Sequence, residues 1–91
     1  MKTYTKVYLD YFKYCTEDFI GCEVCGQRAN DIHHILNRSR RPDLLNNIDN
    51  IMALCRTCHE QYGDKNKFID FLKEKHENIK NKFKRKENRR T

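Results

Sequence analysis

Two Cys-x-x-Cys pairs, Cys22 with Cys25 and Cys55 with Cys58, carry the strongest chemical signal in the chain. A Cys-x-x-Cys loop offers two thiolates at the bite of a tetrahedral zinc ion, and two such loops complete the coordination shell. Four sulfur ligands leave no open position for water, so a zinc held here is expected to be structural. Sites of this kind contribute on the order of 10 kcal/mol to folding. The competing reading is two unrelated thiol pairs, or a redox Cys-x-x-Cys. Gly26, directly after the first pair, suits the tight turn of a metal knuckle. The 29 residues between the pairs exceed the spacing of a plain zinc ribbon, so something folded must fill the gap.

That gap and its end hold a second set of reactive side chains: His33, His34, Asn50 and, directly after the last paired cysteine, His59. Zinc binding at the flanking cysteines would bring these segments together. A neutral imidazole can take a proton from water near neutral pH. A second imidazole can hold a divalent metal, which stabilises a pentacovalent phosphorus and its leaving oxygen. An amide can orient the base. The alternative is that the three histidines are polar surface or spare zinc ligands. His76 stands apart from this set and reads as an ordinary helix residue.

The elements that must position these groups follow from periodicity. Residues 3–16 place Val7, Tyr8, Tyr11, Phe12 and Cys15 at spacings of three and four, which predicts an N-terminal helix with Cys15 as a buried structural thiol. Asp31 to Ile35 predicts a short strand, and Ile51 to Leu54 a returning one. Residues 36–50 form a long connection, interrupted by Pro42 and an Asn-Asn pair. Cys55 to His59 should open a helix. Gly63 stops it, and Asp64 is expected to cap a C-terminal helix with Phe68, Ile69, Leu72, Ile79 and Phe83 on one face. The end, Arg85 to Thr91, is expected to be loose.

Ninety-one residues make a single domain, 1–91, with little core and need of a staple. No apolar run suggests a signal peptide or a membrane span, so a cytoplasmic setting is expected, where paired cysteines favour metal over disulfide. The net charge of +6 is unevenly placed. Residues 1–63 hold eight basic and eight acidic side chains, whereas residues 64–91 hold eleven basic and five acidic. A basic segment suggests a polyanionic partner, although a solvated helix end would look the same.

The run Asp31-Ile-His-His-Ile35, followed by Asp49-Asn-Ile-Met-Ala-Leu-Cys-Arg-Thr-Cys-His59, resembles the HNH endonucleases of the ββα-metal, or His-Me finger, superfamily. The likeness covers residues 20–63 and includes the zinc knuckles of many phage and bacterial members. It implies a small α+β zinc-stapled domain: a ββα-metal core of a two-strand hairpin plus a helix, flanked by an N-terminal helix (3–16) and a C-terminal basic helix (64–88). It implies a metal-dependent DNA endonuclease leaving a 5′-phosphate and a 3′-hydroxyl. His34 matches the general base, and His33 and His59 match the ligands of a catalytic metal. Asn50 matches the residue that holds the hairpin and orients the base. Some members carry a further histidine where this chain has Gly63. Two protein ligands then remain, and an open site favours Mg2+, Mn2+ or Ni2+ bound jointly with the scissile phosphate.

The family presents its hairpin and helix to the minor-groove side of duplex DNA. Phosphate grips are expected from Arg38, Arg40 and Arg41 in the connection and from Lys80, Lys82, Lys84, Arg85, Lys86, Arg89 and Arg90 in the tail. Such contacts give affinity without a base code. RNA stays open as a substrate, and a monomer or weak homodimer is expected. The alternative function is a noncatalytic zinc module binding nucleic acid or protein, which would need the cysteines but not His34, Asn50 and His59 together.

Overall fold

A computed structural model describes residues 2–89 apart from 16, 38 and 64, with side chains through Arg85. The expected cap Asp64 and the expected phosphate contacts Arg38 and Arg90 lie outside the described residues, as do the side chains of Lys86 and Arg89. In chain order the elements are α1 (Thr3–Phe12), β1 (Asp31–His34), β2 (Ile51–Leu54), α2 (Arg56–Tyr62) and α3 (Ile69–Arg89), with 3-10 turns at Pro42–Leu44, Ile48–Asn50 and Asn66–Phe68. The expected small α+β architecture is present.

The hairpin is the middle layer. β1 and β2 pair antiparallel, with Ile32 opposite Ala53 and His33 opposite Met52. Ile51, Met52, Ala53 and Leu54 are completely buried, so β2 is covered on both faces. Alternation sends Ile51 and Ala53 to one side, where Tyr8 and Phe12 of α1 pack. Met52 and Leu54 go to the other, against Ile35, Leu72 and the paired cysteines. A continuous apolar run is what a strand covered on both faces requires.

The outer edge of β2 is occupied by one residue of the knuckle. Glu23 N–H donates to the Ala53 carbonyl at 3.0 Å, and its carboxylate Oε2 accepts from Ala53 N–H at 3.0 Å. Glu23 therefore meets this peptide on both its polar groups, as a neighbouring strand would.

Three expectations are corrected. The N-terminal helix stops at Phe12 rather than residue 16, because Lys13 takes a left-handed conformation and Tyr14 N–H returns to the Leu9 carbonyl at 2.9 Å. Cys15 consequently falls in a turn and is exposed. Its backbone N–H donates to the Asp18 carboxylate at 2.8 Å. The C-terminal helix begins at Ile69 rather than residue 64, after the 3-10 turn Asn66–Phe68, and it runs to Arg89 through part of the tail expected to be loose. Its inward stripe carries Leu72 with Ile79 and Phe83, but also His76, 1% exposed, and Lys80, 6% exposed.

His76 is thus no ordinary helix residue. Its Nδ1 lies 2.6 Å from Glu23 Oε1 and its Nε2 2.6 Å from the Ile48 carbonyl oxygen. The ring is therefore held at both nitrogens, by a carboxyl group on one side and a backbone carbonyl on the other. Tyr8 Oη donates to Glu23 Oε2 at 2.5 Å. Burial first, and the Glu23 charge next, push the Tyr8 phenol far up, which keeps it a donor. Lys80 pairs with Asp49 and with Glu77, the latter at 3.0 Å. α3 therefore grips the Ile48–Asn50 turn at two successive residues, Ile48 and Asp49.

Candidate metal and catalytic site

The Sγ atoms of Cys22, Cys25, Cys55 and Cys58 all lie within 4.8 Å of one another. Zinc–sulfur bonds of about 2.3 Å in a tetrahedron place sulfurs roughly 3.8 Å apart. The Cys25–Cys55 separation is 3.6 Å, close to that spacing and far beyond the roughly 2.05 Å of a disulfide. The backbone prepares the thiolates. Burial pushes the Cys22 thiol up, but the amides of Cys25, Cys55 and Val24 more than reverse this and hold it at about 7. Burial and the neighbouring sulfurs push Cys58 well up instead. Four sulfurs this close need a cation to ionise together, so the donor set fits a bound metal.

The knuckle also starts α2. Cys55 is its N-cap residue, with Sγ accepting from Cys58 N–H at 3.4 Å, and Asn30 Oδ1 takes Arg56 N–H at 2.8 Å. With its start fixed, α2 delivers His59 to the face of β1 that carries Asp31 and His33. The His33 and His59 rings are 4.9 Å apart between centroids, and Asp31 Oδ2 is 3.8 Å from His59 Nδ1. His33 is buried, while the side chains of His59 and Asp31 remain 33% and 54% exposed. Two imidazoles and a carboxylate on a solvent-open rim make a mixed nitrogen and oxygen donor set.

Gly63 closes this corner. A Cβ there would stand 2.5 Å from the His59 carbonyl oxygen, 2.6 Å from His59 Cδ2 and 3.3 Å from His33 Cε1. The two rings fit against bare backbone, and a histidine at this position would have no room in the present packing.

His34 points the other way, toward α1. Its ring meets Tyr4 edge-on at 4.5 Å between centroids. Its Nε2 is 2.9 Å from the Leu45 carbonyl oxygen. A carbonyl cannot donate, so Nε2 carries the hydrogen and, in the neutral ring, Nδ1 holds the lone pair. Asn50 does not touch His34 in any described contact. Its Oδ1 accepts Leu36 N–H at 2.8 Å, and its Nδ2 donates to the carbonyls of Leu36 at 3.1 Å and Leu44 at 3.4 Å. Asn50 thus clips both ends of the connection whose Leu45 carbonyl orients the His34 ring.

The basic residues divide. Arg41 is held by Asp43, with bonds of 3.0 and 2.9 Å. Arg40 reaches Asn66 at 3.2 Å. Lys82, Lys84 and Arg85 are exposed along α3. Lys80, expected among the phosphate grips, is buried in its ion pairs and holds the Ile48–Asn50 turn instead. Tyr4, Asp31 and Leu45 were not singled out by sequence. Asp31 could have been, since it lies two residues before His33 and shares its face of the strand.

Comparison with known proteins agrees with this arrangement. The family model described as HNH endonuclease matches residues 22–65. That span takes in both cysteine pairs, His33, His34, Asn50 and His59. An alignment over 52 positions, covering 52% of this chain, is 38% identical to the mitochondrial DNA mismatch repair protein mutS homolog of Sarcophyton glaucum and covers 5% of that protein. The chain thus spans only a small part of this curated relative's length. No solved structure matches. Among the described residues no helix is long and apolar enough to cross a membrane. The family match and the four-cysteine cluster together make the chain a member of the HNH endonuclease family with a zinc knuckle.

Proposed function

We propose that this chain is a metal-dependent endonuclease that hydrolyses phosphodiester bonds in DNA, with a structural zinc in its four-cysteine knuckle. The observation that carries the reading is the setting of His34. Leu45 fixes its Nε2 as a donor, which leaves Nδ1 to act as the base. In this reading Nδ1 of His34 takes a proton from a water molecule as that oxygen attacks phosphorus. The bond from phosphorus to the 3′ oxygen breaks, leaving a 5′-phosphate and, after protonation, a 3′-hydroxyl. Tyr4 packs on the imidazole and limits its rotation. Asn50 acts through the connection, holding the Leu45 carbonyl in place. His33 and His59 would hold a divalent ion, Mg2+, Mn2+ or Ni2+, with Asp31 at its edge. When bound, such an ion supplies charge to the pentacovalent phosphorus and the leaving oxygen. The likeness to a protein named for DNA mismatch repair points toward DNA rather than RNA.

The test is cleavage of supercoiled plasmid by the zinc-loaded protein with each of the three ions. Wild type is expected to nick or linearise the DNA. His34→Ala should lower the chemical step roughly 100- to 10,000-fold with metal affinity kept. His59→Ala should lower both metal affinity and rate, and extra metal should restore part of the loss. Full activity in both variants would overturn the reading and leave a noncatalytic zinc module as the better account.

A further inference from the structure

A groove of about 320 Å³ lies between the segment that follows β1 and the segment that follows α2. On one side Ile35, the residue directly after β1, lines it. On the other, Lys65 lines it, two residues beyond the Gly63 backbone that packs on both histidines. Between them stand Asn37, Ser39, Arg40 and Asn66.

The walls present donors. Asn37 Oδ1 is taken up by Ser39, from its N–H at 2.8 Å and its hydroxyl at 2.7 Å. Asn66 Oδ1 accepts from Arg40 Nη1 at 3.2 Å, which joins the two walls. With both amide oxygens used inside the walls, each amide has its Nδ2 hydrogens to offer. The Lys65 ammonium bonds the carbonyls of Glu60 and Gln61 at 3.1 and 3.0 Å, which anchors it at the end of α2 with one hydrogen left over. Two cations and two amide donors line the groove, and among the described lining residues there is no carboxylate. An anion is the complementary ligand. The volume lies at the low end of about 300–1,000 Å³ for small-ligand pockets, too small for two strands.

We propose that this groove binds the phosphodiester backbone of a single DNA strand where it leaves the scissile phosphate. The proposal rests on the nuclease reading for the identity of its ligand. It assigns Arg40, Lys65, Asn37 and Asn66 to one phosphate track, separate from the exposed basic face of α3.

The experiment is fluorescence anisotropy on the full zinc-loaded chain in a His34→Ala background, without added divalent metal. The probes are a short single-stranded DNA, the same sequence as duplex, and its RNA counterpart. Arg40→Gln combined with Lys65→Gln should weaken single-strand binding roughly tenfold and reduce the log–log salt slope by about 1.4, two contacts at about 0.7 each. Asn37→Asp, which places a charge among the donors, should weaken it as well. Zinc content and melting temperature should stay at wild-type values. A matching loss on RNA supports backbone recognition, since the 2′-hydroxyl plays no part. A loss confined to duplex, or unchanged affinity and slope, overturns the proposal. If the groove variants lose binding while wild type cuts nothing with any metal, the groove stands and the nuclease reading falls. If wild type cuts while the groove variants bind normally, the reverse holds.

Discussion

His76 of α3 and Glu23 of the zinc knuckle, 53 residues apart in sequence, face each other at 2.6 Å with both side chains almost wholly buried. The pair joins the metal centre to the C-terminal helix. Through the second nitrogen of His76 it also reaches the turn that presents Asn50. Removing one member leaves the other buried without its partner. His76→Ala is therefore expected to cost about 3–5 kcal/mol of stability, and Tyr8→Phe, which removes one donor to the same carboxylate, about 1–3 kcal/mol. Denaturant melts of the zinc-loaded protein measure both. A His76→Ala variant within 0.5 kcal/mol of wild type, on the roughly 1 kcal/mol scale of an ordinary bond, would show that the pair is energetically idle.

The knuckle is expected to hold one zinc per chain through dialysis without chelator. Cys25→Ser or Cys58→Ser should unfold the domain, because most of the metal's folding energy, on the order of 10 kcal/mol, is lost with one ligand. Metal analysis with circular dichroism decides this. Native helix content in a zinc-free variant would contradict it.

Gly63→Ala tests the corner under the two histidines. The new Cβ must displace either the His59 carbonyl or its ring. A displacement of about 1 Å at a reacting centre can cost on the order of 100-fold in rate. Cleavage should fall by at least about tenfold on this scale while zinc stays bound. An alanine variant that cuts like wild type would mean that His59 adjusts without consequence.

Lys80 gives a prediction for pH. Burial pulls its ammonium down, but the bonds to Asp49 and Glu77 more than offset this, so its pKa is raised. A raised pKa contributes stability that is complete below the unfolded value and is lost as pH rises through the folded one. The stability difference between wild type and Lys80→Met should hold steady from neutrality to about 10.4, the ordinary lysine value, and shrink only above it. Melts at a series of alkaline pH values test this. A difference already gone at pH 9, below about 10.4, would mean that the pairs do not hold the charge.

Asn50→Ala should lower both stability and rate, since it leaves Leu36 N–H without its acceptor and unclips the connection. The stability cost is expected at about 1–3 kcal/mol. Asn50→Asp keeps the acceptor for Leu36 N–H but sets a carboxylate oxygen against the Leu36 carbonyl, so it should rescue little of the rate. Single-turnover cleavage beside denaturant melts separates the two effects. Full activity in Asn50→Asp would remove the connection from the account of how His34 is oriented.

The parts legible in sequence were those written in local spacing. Paired cysteines located the knuckle, alternation and the two-sided apolar run located the hairpin, and Cys55 to His59 located α2. The rest depends on partners far along the chain. Nothing around Glu23 announces a buried carboxylate, because its partner lies in α3. The clue lay in α3 itself: His76 is in phase with Leu72, Ile79 and Phe83, on a stripe that had to face inward. Lys80 follows one turn later, and the same phase takes it out of solvent. The His34 orientation was illegible for another reason. Its partner is a backbone carbonyl, which every residue carries, so side-chain identity at Leu45 says nothing about it. The end of α1 turned on the left-handed backbone of Lys13, a conformation lysine seldom adopts and no composition rule would place there.

The way Glu23 meets Ala53 bears on how this protein behaves in company. A two-strand sheet ordinarily offers its outer rim to any passing extended chain, and such rims seed aggregation. Here the Ala53 peptide group is already satisfied in both directions by a single side chain and its own backbone. A second molecule cannot extend the hairpin at that point without first displacing a buried carboxylate from a tyrosine, a histidine and an amide. At Ala53, strand addition is opposed by the same residue that links the knuckle to the C-terminal helix.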